Sequence, residues 1–230
     1  MKKLISSLTA FERILLISSM IVISAAFIIF DGNDYLSFIA SLVGAVSLIF
    51  CAKGHPIGQA LIIIFSILYG IVAIRVKYYG ELATYVLMTL PMAVYALIEW
   101  LRHPYDEETR EVEVKKIDKK DVFALVISAA LVSVAFYFIL GFFKTPHLPL
   151  ATLSVLTSFS AVFLSAKRSP LYAVAYALND LVLIALWALS LKENMGNISV
   201  LVCFSIFLVH DIYGFISWSQ RGVKQQSKTA

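Results

Sequence analysis

The stretch FCAKGHP at residues 50–56 has a second copy in the chain, LSAKRSP at residues 164–170, with Ala52, Lys53 and Pro56 falling on Ala166, Lys167 and Pro170. Further on, YALIEWLR at residues 95–102 recurs as YGFISWSQR at residues 213–221, which pairs Tyr95 with Tyr213 and Trp100 with Trp218. A small insertion near residues 192–196 reconciles the two offsets. Self-similarity of this kind marks an internal repeat, and in a membrane protein such a repeat sets the architecture.

The copies are embedded in long apolar runs. Crossing a hydrocarbon core of roughly 30 Å takes about 20 mainly apolar residues, and eight such stretches can be marked: 14–30, 35–52, 56–76, 80–101, 121–143, 148–166, 169–191 and 197–218. Composition agrees, since 60% of the residues are apolar, more than one globular core of this length can use. Lys2 and Lys3 ahead of the first run resemble the start of a signal peptide. That run is long, however, has no small-x-small cleavage site before a polar mature domain, and is followed at once by another apolar stretch, so it is read as a helix.

The expected fold is therefore an all-α polytopic membrane protein with eight transmembrane helices. Residues 1–34 form a cytoplasmic segment and an extra N-terminal helix, and residues 35–101 the first three-helix repeat. A charged cytoplasmic linker at 102–120, with room for a short helix, leads to a linking helix at 121–147. Residues 148–218 form the second repeat and 219–230 a cytoplasmic tail. One intervening span gives both repeats the same orientation, a 3+1+3 core of parallel repeats, and such repeats hold their substrate site at the interface near mid-membrane.

Basic residues accumulate in loops that stay in the cytoplasm. Lys2, Lys3, Arg13, Lys53, the cluster from Arg102 to Lys120, Lys167, Arg168, Arg221, Lys224 and Lys228 fall in one set of alternate loops. The other set holds only Arg75, Lys77, Lys144 and Lys192 beside the acidic Asp31, Asp34, Glu81 and Glu193. Both termini are expected inside. The excess of Lys and Arg, 19 against 15 acidic residues, thus reports topology and not a nucleic-acid surface. Cys51 and Cys203 lie in different halves without metal or disulfide spacing and read as small buried side chains. No metal or cofactor is implied.

An ionisable residue deep in a span costs about 2.5–3.5 kcal/mol on insertion scales, which makes each one a functional candidate. Asn179 and Asp180 lie at the middle of the seventh span, His210 and Asp211 in the inner half of the eighth. At about 100° per residue, Tyr172, Tyr176, Asn179, Leu183 and Trp187 share one stripe with Asp180 on its flank. Aromatic rings around a polar centre suit a flat heterocycle, and a cationic ring would gain further from Asp180. The plainer reading of Asn179 is an interhelical hydrogen bond. His210 and Asp211 point about 100° apart, so one can face the site while the other ties helices or takes part in a proton relay. Pro91 removes a backbone bond from the fourth helix and is read as a kink beside the cavity. Tyr78, Tyr79, Tyr95, Tyr213, Trp100 and Trp218 stand near helix ends and read mostly as interfacial anchors.

Several segments in this order, AKG at 52–54, YGE at 79–81, LPM at 90–92 with Trp100, NDLVLIALW at 179–187 and HDIYGFISW at 210–218, resemble the PnuC family of bacterial vitamin transporters, best known for nicotinamide riboside uptake. The resemblance spans Leu36 to Trp218. It implies a homotrimer of eight-helix protomers in the bacterial cytoplasmic membrane, with a SWEET-like core. The implied activity is facilitated diffusion of nicotinamide riboside by a uniporter, trapped by intracellular phosphorylation, and the absence of a Walker motif in the sequence agrees with it. Tyr85 stands where many such members have Asn, Ala93 where Gln is expected and His210 where Asn is usual. Carriers of thiamine, riboflavin or deoxynucleosides are therefore the alternative. The expected substrate site comprises Asn179, Asp180, Trp187, Tyr176, Tyr172, Tyr85, His210 and Asp211, with no catalytic residue. An intramembrane enzyme using Asp180 with Asp211 or His210 is the alternative of another class, and no protease-type motif such as HExxH supports it.

Overall fold

The computed structural model describes residues 8–75, 79–192 and 195–229. The expectations on Lys2, Lys3, Lys77, Tyr78 and Glu193, and on the side chains of Tyr79 and Glu81, lie outside them. Among the described residues, eight helices are long and apolar enough to cross a bilayer. They are α1 (Ala10–Phe30), α2 (Tyr35–Ala52), α3 (Ile57–Arg75), the composite α4 (Tyr79–Ala83, Thr84–Thr89 and Leu90–Arg102), α5 (Lys119–Phe142), α6 (Leu148–Ala166), α7 (Leu171–Ser190) and α8 (Ile198–Thr229).

Local chemistry sets the ends. Thr9 and Glu12 form a reciprocal capping box on α1, while Asp34 and Asp118 cap α2 and α5 by accepting from Ser37 N at 3.2 Å and Asp121 N at 2.7 Å. The repeated AKG and AKR segments end α2 and α6 in the same way. Gly54 and Arg168 adopt left-handed φ values of 69° and 58°. His55 N and Ser169 N then bond back to Phe50 O at 2.9 Å and Leu164 O at 3.0 Å, while Gly54 N and Arg168 N bond Cys51 O and Ser165 O, both at 2.9 Å. These are two Schellman turns at matching positions.

In the composite α4 the middle piece, Thr84–Thr89, is π-helical, and the N–H of Leu90 reaches Tyr85 O. Pro91 has no N–H to give to the preceding turn, and the widened turn takes up the mismatch. The expected kink is thus a π-turn, and it carries Tyr85.

The helices make a closed circuit of contacts, α2 to α3, α3 to α4, α4 to α6, α6 to α7, α7 to α8 and α8 back to α2. Each repeat contributes three, and the two seams between repeats, α4·α6 and α2·α8, are equivalent. The linking helix α5 packs along the first seam, on α6 and the start of α4; α1 packs along the second, on α2 and α8. Each of these outer helices buries an acidic residue of its first turn. Glu12 accepts from Tyr213 Oη at 3.0 Å, and Asp121 pairs with Lys167 at 2.6 Å. The interior is filled with small residues, among them Ala45, Ala93, Ala96, Ala161 and Ala173, all fully buried. Membrane helices lack a hydrophobic force between them and rely on such close approach.

Three expectations are corrected. Residues 219–229, expected as a cytoplasmic tail beyond the last helix, are helical: α8 runs on through Thr229, because Gln, Lys and Arg are good helix formers and the extension has a partner. Gln225 Oε1 accepts from Val114 N at 2.8 Å and its Nε2 donates to Val112 O at 3.2 Å. That partner is the linker, which contains no helix and runs as an extended strap with one antiparallel bridge, Pro104 to Val112. Val112 N donates to Gly54 O and Lys115 N to Arg168 O, both at 2.9 Å, so the strap bonds matching positions of both repeats. Trp100 and Trp218 are not interfacial anchors, for both are fully buried; a buried indole N–H needs an acceptor, and each finds one in the opposite repeat.

Candidate functional site: a cavity between the repeats

Between α4 of the first repeat and α6 and α7 of the second lies a cavity of about 330 Å³, within the range typical of small-molecule sites. Its mouth is at the end of the bundle that carries Lys144, Thr145 and His147, and its wall descends past Ser190, Trp187 and Tyr85 to Ser154, Ser158 and Asn179. The strap and the two buried tryptophans lie at the opposite end.

Asn179 is buried on α7. Its Oδ1 lies 3.1 Å from Ser154 Oγ and 2.9 Å from Thr157 Oγ1, both on α6. Tyr85 and Trp187 present aromatic rings from α4 and α7, and the hydroxyls of Thr84, Ser158 and Ser190 add to the polar wall. Among the described lining residues, the charged or titratable groups beside the mouth are Lys144 and His147. Among the described lining residues there is no carboxylate. The arrangement can hold a flat polar molecule between rings and hydrogen-bond its edge; it holds no nucleophile paired with a base.

Of the residues singled out in the sequence, the structure brings Asn179, Trp187 and Tyr85 to this wall, and not Tyr172, Tyr176, Asp180, His210 or Asp211. Tyr172 is buried against Trp218, ring centroids 4.9 Å apart, and edge-on to Tyr176 at 6.1 Å. The stripe on α7 thus faces the cavity only in its C-terminal half, because Trp218 fills the space beside the N-terminal half. Asp180 turns toward α8, where its carboxyl meets that of Asp211 within hydrogen-bonding reach. His210 Nε2 lies 2.8 Å from Ser19 Oγ of α1. The Ser19 hydroxyl also sits 2.7 Å from Leu15 O, so His210 takes part in a tie that docks α1.

Ser154, Thr157 and Ser158 escaped the sequence reading. Their signal was visible in LATLSVLTSFS at residues 150–160, three hydroxyls at i, i+3 and i+4 on one helix face.

At the strap end, burial together with the charges of Lys53 and Arg110 holds His55 below its ordinary pKa. The hydrogen bond and charge of Asp121 hold Lys167 above its own.

Comparison with known proteins adds three findings. The profile of the family described as nicotinamide mononucleotide transporter matches residues 34–220. The nicotinamide riboside transporter PnuC of Neisseria mucosa is 25% identical over 223 residues, 95% of this chain and 84% of that one. The crystal structure of the vitamin B3 transporter PnuC superposes with a TM-score of 0.81 at 21% identity, covering 95% of this chain and 94% of that one. At that identity the structural likeness speaks for the fold.

Proposed function

The chain belongs to the nicotinamide mononucleotide transporter family, and on that premise we propose that it takes up nicotinamide riboside by facilitated diffusion as a uniporter, the cell retaining the compound once a kinase has phosphorylated it. The observation that carries this reading is the cavity itself, a pocket at a seam between two parallel repeats with the Asn179 amide at its depth and the rings of Tyr85 and Trp187 on its walls. Both termini and the strap are taken as cytoplasmic from the distribution of basic loops, so the mouth faces outward. We take the assembly to be a homotrimer in the bacterial cytoplasmic membrane, on the family resemblance.

A carrier of another nucleoside or vitamin is the second reading, and one observation favours it. Of the three departures from the nicotinamide riboside pattern, His210 faces α1 and Ala93 is buried in the core, but Tyr85 lines the cavity.

Purified protein in liposomes, loaded with labelled nicotinamide riboside, thiamine, riboflavin and deoxynucleosides in turn, tests both. Saturable flux of nicotinamide riboside, equal in both directions and enhanced inward by an enclosed kinase with ATP, is expected. Flux of only another compound would replace the first reading with the second.

A further inference from the structure

The orientation of the Asn179 amide follows from counting protons. Thr157 has one hydroxyl proton and three acceptors near it, Asn179 Oδ1 at 2.9 Å, Leu153 O at 3.0 Å and Ser154 O at 3.1 Å. Its hydroxyl could therefore bond the helix backbone and accept from an amide turned the other way. Ser154 decides between the two. Among the described residues the one acceptor for its buried hydroxyl is Asn179 Oδ1, at 3.1 Å. Were the amide nitrogen turned toward α6, Ser154 would have no acceptor for its proton among the described residues and would lose its hydrogen bond to α7. With the oxygen toward α6, both hydroxyls are satisfied. Among the described residues the two hydrogens of Nδ2 then have no acceptor, on a residue that lines the cavity.

We propose that Ser154 and Thr157 are positioning residues that make Asn179 a hydrogen-bond donor toward the cavity, and that the ligand is a heterocycle recognised by a carbonyl acceptor on its edge. This deepens the proposed function and rests on it for the choice of ligand. Charge selection plays no part at this depth: the wall carries no carboxylate among the described residues, and the nearby Asp180 is turned to Asp211. Discrimination arises instead because a donor amide facing a ligand without an acceptor is left desolvated and unpaired.

Binding to the purified full-length protein, followed by calorimetry, tests this with three pyridine ribosides. One carries the carboxamide, one a 3-acetyl group that keeps the carbonyl but lacks the amide hydrogens, and one no substituent. The carboxamide and acetyl compounds are expected to bind within about threefold of each other and the unsubstituted one about tenfold or more weaker. In the Ser154→Ala/Thr157→Val double variant the amide is free to turn, and this preference should shrink to about threefold or less. Thr157→Ser, which keeps the hydroxyl, should retain it. An acetyl compound as weak as the unsubstituted one would overturn the proposal, as would an undiminished preference in the double variant. If the three pyridine ribosides fail to bind but a deoxynucleoside does, the nicotinamide reading fails. The donor role of Asn179 is then judged by the same variants on that nucleoside and its analogue lacking the base carbonyl. Binding of none of these compounds would overturn both.

Discussion

Trp100 and Trp218, at matching positions of the two repeats, are crossed donors: Trp100 Nε1 donates to Ser165 O at 2.8 Å and Trp218 Nε1 to Cys51 O at 2.7 Å. Cys51 and Ser165 are themselves matching positions of the repeated turn, so each repeat hangs its last helix on the end of the other's first. The two rings lie 5.2 Å apart. A two-fold pseudo-axis along the bundle relates the pair, and the seam it closes is at the end opposite the cavity mouth.

Trp100→Phe and Trp218→Phe should each lower the thermal midpoint of the solubilised protein, by the equivalent of about 1–3 kcal/mol, because a buried carbonyl loses its donor. Since the rings touch, the double variant should depart from additivity. Midpoints followed by tryptophan fluorescence of the remaining indoles, or by calorimetry, check both statements.

Asn179→Ala should reduce uptake in liposomes by at least about tenfold, because it removes the donor at the cavity floor, and should lower the midpoint by the equivalent of about 1–2 kcal/mol, because Ser154 loses its acceptor on α7. Tyr172→Phe should leave uptake within about twofold, since that hydroxyl is away from the cavity. Initial rates and melting curves on the same preparations separate the two outcomes.

Gly58→Ala should be severely destabilising. A Cβ there would stand 2.5 Å from Cys51 N and 2.9 Å from Phe50 C, and backbone atoms cannot turn aside, so the α2–α3 hairpin must open. Overpacking of this kind costs about 1–3 kcal/mol or more, read as loss of monodisperse protein on size exclusion and a lower midpoint. Gly32→Ala, where the nearest atom is at 4.0 Å, is the control.

Acidification should weaken the strap end. His55 is held below its ordinary pKa by burial and by Lys53 and Arg110, so the folded protein binds its proton less readily than the unfolded chain does. The stability this provides is present above the ordinary value of about 6.5 and is lost as pH falls through it toward the lower folded value. The midpoint should therefore drop on going from neutral pH to below about 6, and His55→Gln should flatten that dependence. A set of melting curves across pH for both proteins suffices.

Much of the architecture was legible from residue order. Span number came from apolar length, and helix ends from polar breaks; α6 was placed at its observed bounds, 148–166. The shared Lys and Pro of the repeated turn and the paired tryptophans mark two like-oriented units. The polar centre was half legible. Asn179 and Trp187 stand out as unusual residues in an apolar span, whereas Ser154, Thr157 and Ser158 are cheap to bury and carry little signal on their own.

Residue order alone establishes the surrounding medium and the number and order of the spans, since a bilayer accepts only helices of sufficient apolar length and a repeat constrains their arrangement. Which polar residues meet the cavity follows from helix packing. Asp180 and Asn179 are adjacent in the chain, yet one turns to Asp211 and the other to the ligand space, and Trp100 and Trp218 stand at the ends of the predicted spans yet are wholly enclosed. Helical periodicity gives direction relative to the helix's own axis alone. Which neighbour occupies that direction depends on how six helices close into a ring, and this is settled by packing between residues more than a hundred positions apart, such as Gln59 and Ser165 at 2.9 Å.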